Sequence, residues 1–179
     1  MCGGRGTRLG VETEKPLVTV GDEPMVDRVC DALAASRIDA VYAVVSPHTP
    51  ATRDHLRTAA VDVIDAPGEG YVADLEHALD RVARPVLTVV ADLPLLAAET
   101  VDRTLDAADG SVAVAVPVAL KRRLGVSVDT AFDHDDRRLA PAGINVVDGT
   151  DDDIYVRDDR RLAVNVNRHT DLRVAEALS

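Results

Sequence analysis

Apolar positions along the chain alternate between helical and extended spacing. Met25, Val26, Val29, Cys30 and Leu33 share one face and predict a helix ending near Arg37. Ala40 to Val45 reads as a buried strand. Thr49 and Pro50 have the character of an N-cap and a first helical residue, opening a helix through Thr58, and Val61 to Ile64 is the next strand. After the loop Ala66-Pro67-Gly68-Glu69-Gly70, the positions Tyr71, Leu75, Ala78, Leu79 and Val82 again follow a helix. Val86 to Val90 is a β-branched run that stops at Asp92-Leu93-Pro94. Glu99 to Ala107 is expected to be helical, Val112 to Val118 extended, Leu162 to Val166 extended, and Thr170 to Leu178 a closing helix capped by Thr170.

Such strand-helix alternation implies one α/β domain over residues 1–179, a Rossmann-like three-layer α/β/α arrangement around a mainly parallel sheet. Ligands of open sheets of this kind sit beyond the C-terminal ends of the strands. The stretch from Lys121 to Arg160 is less regular. Its acidic turns, Asp133-His134-Asp135-Asp136 and Asp151-Asp152-Asp153, are expected to form excursions over the site.

Composition narrows the classes. With 179 residues and 46% hydrophobic positions there is enough apolar material for one core. No apolar run approaches the roughly 18 residues of a membrane span, and no leader-like segment opens the sequence, so a cytoplasmic protein is expected. Two cysteines, Cys2 and Cys30, neither build a disulfide framework nor show zinc-ligand spacing. The net charge is −11, and 24 of the 31 acidic residues are Asp. An acidic surface of that make-up suits a halophilic protein, hydrated where the Debye length falls to about 3 Å at 1 M salt. It also excludes broad nucleic-acid binding, which needs a basic stripe.

The candidate chemistry begins at the N-terminus. Gly3, Gly4 and Gly6 in Cys2-Gly3-Gly4-Arg5-Gly6-Thr7-Arg8 let backbone N–H groups approach phosphate oxygens closely. Arg8 and Lys15 add the positive charge that a departing pyrophosphate requires. Of 20 basic residues only Lys15 and Lys121 are lysine. Retention of a compact ammonium at position 15 fits a point charge on phosphate. The pattern lacks the Gly-Lys-Ser/Thr of a Walker loop and the Gly-x-Gly-x-x-Gly of a dinucleotide site.

Gly-Gly-x-Gly-Thr-Arg-Leu-Gly followed by Glu14-Lys15-Pro16-Leu17-Val18 and Gly21-Asp22-Glu23-Pro24-Met25 resembles the signature of nucleotidyltransferases. Over nearly its whole length the chain is similar to the archaeal kind of adenosylcobinamide-phosphate guanylyltransferase. The supporting runs are Met1 to Arg8, Val45-Ser46-Pro47-His48-Thr49-Pro50, Gly68-Glu69-Gly70-Tyr71-Val72-Ala73-Asp74-Leu75 and Gly143-Ile144-Asn145-Val146-Val147-Asp148-Gly149. The resemblance implies the nucleotide-diphospho-sugar transferase fold and transfer of GMP from GTP to cobinamide phosphate. The partners it implies are therefore GTP and a phosphorylated acceptor, with a homodimer compatible. Enzymes of this kind carry an apolar strand directly before the glycine loop, whereas this sequence starts at the loop. A misplaced start or a truncation, with the first strand missing, is the resulting expectation.

The resemblance also implies magnesium, with Asp92 as a ligand at a strand end. Of Asn165 and Asn167 in Val164-Asn165-Val166-Asn167, at the end of a predicted strand, one is expected to point into the same site, and Asn167 is the choice for the second ligand. The bland roles of these residues are turn formation and capping. Ser46, Gly68 and Gly70 lie in loops after strands, where the nucleotide would be held alongside Cys2, Gly3, Gly4, Arg5, Gly6 and Thr7; capping is their alternative. Thr49 is favoured as a cap. Tyr71 is able to stack on a base or corrin, although its spacing with Leu75 and Leu79 favours the core. Lys121 is expected to be an ordinary solvated lysine. Same-fold alternatives are guanylyl transfer to molybdopterin or nucleotidyl transfer to a sugar phosphate. An inactive nucleotide-binding regulatory protein is the alternative of another class.

Overall fold

The computed structural model describes residues 1–3, 9–59, 61–149 and 152–179, with the backbone alone at position 152. A 3-10 turn, Lys15–Leu17, leads into the two-residue hairpin strands β1 (Thr19–Val20) and β2 (Glu23–Pro24). There follow α1 (Met25–Ala34), β3 (Tyr42–Val45), α2 (Pro50–Thr58), β4 (Asp62–Asp65), α3 (Tyr71–Leu79), β5 (Val86–Val89) and α4 (Ala98–Ala107). This half follows the apolar periodicity to within a few residues. The second half holds β6 (Ser111–Pro117), α5 (Val118–Leu124), β7 (Phe132–His134), β8 (Arg137–Val147), β9 (Asp152–Val156) and α6 (His169–Leu178).

The sheet is mixed rather than mainly parallel. β3 pairs with β4 in parallel, and β6 with β9 likewise, but β8 runs antiparallel between β5 and β6. β7 adds an antiparallel edge on β8. Residues 121–160 are therefore not mere excursions: they supply the longest strand of the protein. β8 alternates buried and half-buried positions from Ala142 to Val147, and Ile144 and Val146 face the main core with Val112, Val114 and Val116 of β6 and Val101 of α4.

Two further expectations fail locally. The run Leu162 to Val166 is not a strand, although Leu162, Ala163, Val164 and Val166 are fully buried. Its polar backbone groups find partners outside any ladder: Val166 N donates to Asp92 O (2.9 Å), and Ala163 O accepts from the Lys121 ammonium (2.7 Å). Thr170 does not cap α6. Asp171 does so, its Oδ2 accepting from Asn167 N (3.0 Å) and Arg168 N (2.9 Å).

Between β3 and β5 lie the first residues of the chain. Cys2 N donates to Val44 O (2.7 Å), Ala91 N to Met1 O (3.2 Å), and the Met1 amino group to Val89 O (2.8 Å). Beneath them an apolar cavity of about 100 Å³ runs along both strands and is walled by α1 and α3.

Gly143 sets how closely β8 crosses the end of β5. Its φ is +85°, its carbonyl accepts from Val90 N (2.9 Å), and a Cβ there would lie 2.3 Å from Val90 Cγ2. Gly143→Ala is expected to destabilise by about 2–4 kcal/mol, combining overpacking with the left-handed backbone penalty. Urea unfolding measures it, and a change below about 0.5 kcal/mol, the usual scatter of surface substitutions, would contradict this packing.

Candidate active site

Beyond the C-terminal ends of β3, β4 and β5 a cleft of about 450 Å³ opens between the glycine-loop entrance and α3. That is room for a nucleoside triphosphate. Cys2 and Gly3 form one wall, Gly68, Gly70 and Tyr71 another, and Lys15 and Asp92 the floor. Gly4, Arg5, Gly6, Thr7 and Arg8, all expected to hold phosphate, lie outside the described residues.

Lys15 is brought to the floor by its 3-10 turn, which Glu14 anchors. The Glu14 carboxylate accepts from Ala51 N (2.9 Å), Thr52 N (2.7 Å) and Thr52 Oγ1 (2.6 Å), so it caps α2 from outside the helix. Thr49, the expected cap, turns its hydroxyl back to Ser46 O (3.3 Å) instead. From this anchored turn the Lys15 ammonium donates to Asp92 Oδ2 and to Asn167 Oδ1 (2.7 Å). Side-chain exposures of 15% and 19% for Lys15 and Asp92 place the pair at the edge of the interior, where the attraction is screened less than on the surface.

Asp92 is held from behind. Its carbonyl accepts from Val166 N, and its Oδ1 faces Asn165 Nδ2 at 3.4 Å. Asn165 also donates to Ala142 O (3.0 Å) and accepts from Lys121 Nζ (3.0 Å). Lys121 is thus not a solvated lysine: it is 4% exposed, and burial pushes its ammonium below the ordinary lysine value, offset in part by Asp171, Asp92 and Asp129. Both lysines of this arginine-rich chain belong to one network around Asp92. The rarity that singled out Lys15 applied equally to Lys121.

The remaining expected residues divide by orientation. Ser46 is buried, its hydroxyl donating to Gly3 O (3.0 Å) and accepting from His48 N (3.3 Å), so it fixes the entrance of the glycine loop. Gly68 has φ +80°, and a Cβ there would lie 3.1 Å from Pro47 Cδ and 3.2 Å from His48 Nε2, which bonds Gly68 O. Tyr71 is 46% exposed and lines the cleft rather than the core. Cys30 faces the apolar cavity, and burial, with Cys2 and Asp27, pushes its thiol up to about 11. It remains protonated and is no nucleophile. Sequence reasoning missed Glu14 and Asp74, took Lys121 for a solvated lysine and preferred Asn167 to Asn165; for Glu14 the acid next to the motif lysine was the available signal.

A family profile described as MobA-like NTP transferase domain matches residues 1–151. The chain belongs to that family. As a nucleotidyltransferase it is 32% identical to the adenosylcobinamide-phosphate guanylyltransferase of Methanocaldococcus jannaschii, over 99% of this chain and 94% of that protein. It is 31% identical to the bifunctional protein GlmU of Maricaulis maris over 65% of this chain but only 26% of that protein. Among solved structures, a transferase from Thermus thermophilus described as hypothetical superposes with a TM-score of 0.60 at 26% identity, covering 83% of this chain and 63% of its own. A putative glucose-1-phosphate thymidylyltransferase from Bacillus anthracis, at 14% identity, shares the fold with a TM-score of 0.71 over 99% of this chain and 92% of its own. No helix among the described residues is long and apolar enough to cross a membrane.

Lys121→Ala is expected to destabilise by at least about 2 kcal/mol, because it strands two buried acceptors, Ala163 O and Asn165 Oδ1, at roughly 1–3 kcal/mol each. Lys121→Arg should not restore stability, since the planar guanidinium is bulkier than the ammonium it replaces. Chemical denaturation of the three proteins checks this, and wild-type stability of Lys121→Ala would refute the buried network.

Proposed function

We propose that the chain transfers GMP from GTP to the phosphate of adenosylcobinamide phosphate and releases pyrophosphate. The observation that carries this reading is the whole-length similarity to the Methanocaldococcus jannaschii guanylyltransferase, joined to the Lys15, Asp92 and Asn167 cluster at the cleft floor. An oxygen of the acceptor phosphate attacks the α-phosphorus of GTP in line with the bridging oxygen to the β-phosphorus. The new P–O bond forms as the bridging bond breaks, and the electron pair leaves with pyrophosphate. An acceptor phosphate is already ionised at neutral pH, so no general base is needed and catalysis is positioning plus charge.

Lys15, and Arg8 of the glycine loop, are assigned to the leaving pyrophosphate, where negative charge grows as the bond breaks. Asp92 and Asn167 fit a magnesium ion by their donor chemistry: a carboxylate oxygen and an amide oxygen already converge on one cation, the Lys15 ammonium. When bound, that ion would neutralise triphosphate oxygens. The acidic surface supports operation at high salt in the cytoplasm.

Incubation of GTP with cobinamide phosphate and magnesium in molar salt, read by pyrophosphate release, tests the reading. Calorimetry is expected to rank GTP above ATP, UTP and CTP. Tighter binding of UTP or CTP would move the chain to the sugar-phosphate branch, and binding of none would indicate a non-catalytic protein. Lys15→Ala and Arg8→Ala should each lower turnover about 30- to 1000-fold, the scale of one preorganised electrostatic contact. Near-normal turnover of both would remove the glycine loop and Lys15 from the phosphate site.

A further inference from the structure

The cleft contains one buried acid that the phosphate chemistry does not use. Asp74, in the first turn of α3, is 5% exposed yet lines the cleft. Its Oδ1 accepts from Gly68 N (2.8 Å), which ties the Gly68–Gly70 loop to the helix. Its Oδ2 accepts no hydrogen bond among the described residues, and no basic side chain there pairs with it. That oxygen points toward the Gly3 wall, 3.2 Å from where a Cβ on Gly3 would stand, so a side chain at position 3 would press on it. Among the described residues Oδ2 is thus left facing the cleft wall, where a ligand that donates to it would complete the carboxylate. A role confined to holding the loop would need Oδ1 alone, which an asparagine supplies equally well.

We propose that Asp74 reads the base of the bound nucleotide and selects guanine, an inference that rests on the guanylyl-transfer reading above. A carboxylate at neutral pH only accepts. Guanine presents two adjacent donors, N1–H and the 2-amino group. Adenine and cytosine each place an acceptor nitrogen beside their amino group, and uracil flanks its single N–H with two carbonyls. Only guanine therefore meets an acceptor with neighbouring N–H groups and no opposing lone pair. Its position also suits a base reader, because Asp74 stands on the wall formed by Gly3, Gly68 and Gly70, away from the Lys15 and Asp92 floor, as base and triphosphate lie at opposite ends of a nucleotide.

The test is calorimetry on the full chain with GTP, inosine triphosphate, which lacks the 2-amino group, and xanthosine triphosphate, which carries a carbonyl there. Wild type should prefer GTP to inosine triphosphate. Asp74→Asn keeps an acceptor for Gly68 N, so its thermal melt should stay near wild type. Its affinity for GTP should fall roughly 10- to 150-fold, the loss of a hydrogen bond to a charged group. Its preference for GTP over inosine triphosphate should vanish, and xanthosine triphosphate, whose carbonyl accepts from the asparagine amide, should gain affinity. A purely structural Asp74 would alter none of these ratios. If wild type prefers GTP among the natural nucleotides but Asp74→Asn leaves all three ratios unchanged, Asp74 is not the reader and the guanylyl-transfer proposal stands. If wild type shows no guanine preference, that proposal itself falls.

Discussion

The ion pair between Lys15 and Asp92 is the constraint on which the site depends. It joins residues 77 positions apart, and Asn167, 152 positions from Lys15, completes it. Three separate segments, the turn after the glycine loop, the end of β5 and the coil before α6, meet at a single ammonium. Because the pair is partly removed from water, loss of either member would leave an under-compensated charge, a worse state than having neither. An ammonium shared between a carboxylate and an incoming phosphate serves each less fully than it serves one alone. The charge balance at the floor is therefore set to change when an anion enters, which suits a site that must accommodate growing negative charge.

Behind the pair, polar side chains take the place of a strand's ladder. Residues 162–166 are buried but lack a ladder, and Lys121, Asn165 and the Asp92 carbonyl meet part of their backbone and side-chain needs. A regular strand would leave less freedom to aim Asn165 inward and Asn167 outward. Irregular backbone is tolerated here because freed groups have found partners, and it places two asparagines on opposite sides of one carboxylate.

Local signals were legible in the sequence, and long-range pairing was not. Helices α1 to α4 and strands β3 to β6 follow from apolar spacing, because each buries one face and the spacing records which. The same rule misjudged Leu162 to Val166, since it reports burial and cannot tell a strand from a buried coil. It also passed over β8, whose place between β5 and β6 is decided by partners 22 to 61 residues away. At the site, positions at the ends of apolar runs singled out Asp92 and Asn167, two residues that meet on the Lys15 ammonium. Lys121 was misassigned as solvated, because nothing local distinguishes a buried lysine from an exposed one once its helix also carries Arg122 and Arg123. Asp74 stood out only as part of a motif; its burial and the approach of its Oδ2 to Gly3 exist only when α3 is packed against the chain's first residues.

Those first residues tie the stability of the fold to the shape of the site. Met1 and Cys2 are the bridge between the β3–β4 pair and the larger sheet, through three hydrogen bonds, each worth about 0.5–1.5 kcal/mol net. They also line both the cleft above and the apolar cavity below. Any movement that opens the cavity must shift Met1 and Cys2, and Gly3 follows, since Ser46 holds its carbonyl from the β3 side. Gly3 in turn borders Asp74 and leads directly into the glycine loop. The wall that faces a nucleotide is thus only as rigid as the packing between β3 and β5. Apolar packing in that slot therefore bears on the cleft wall from below.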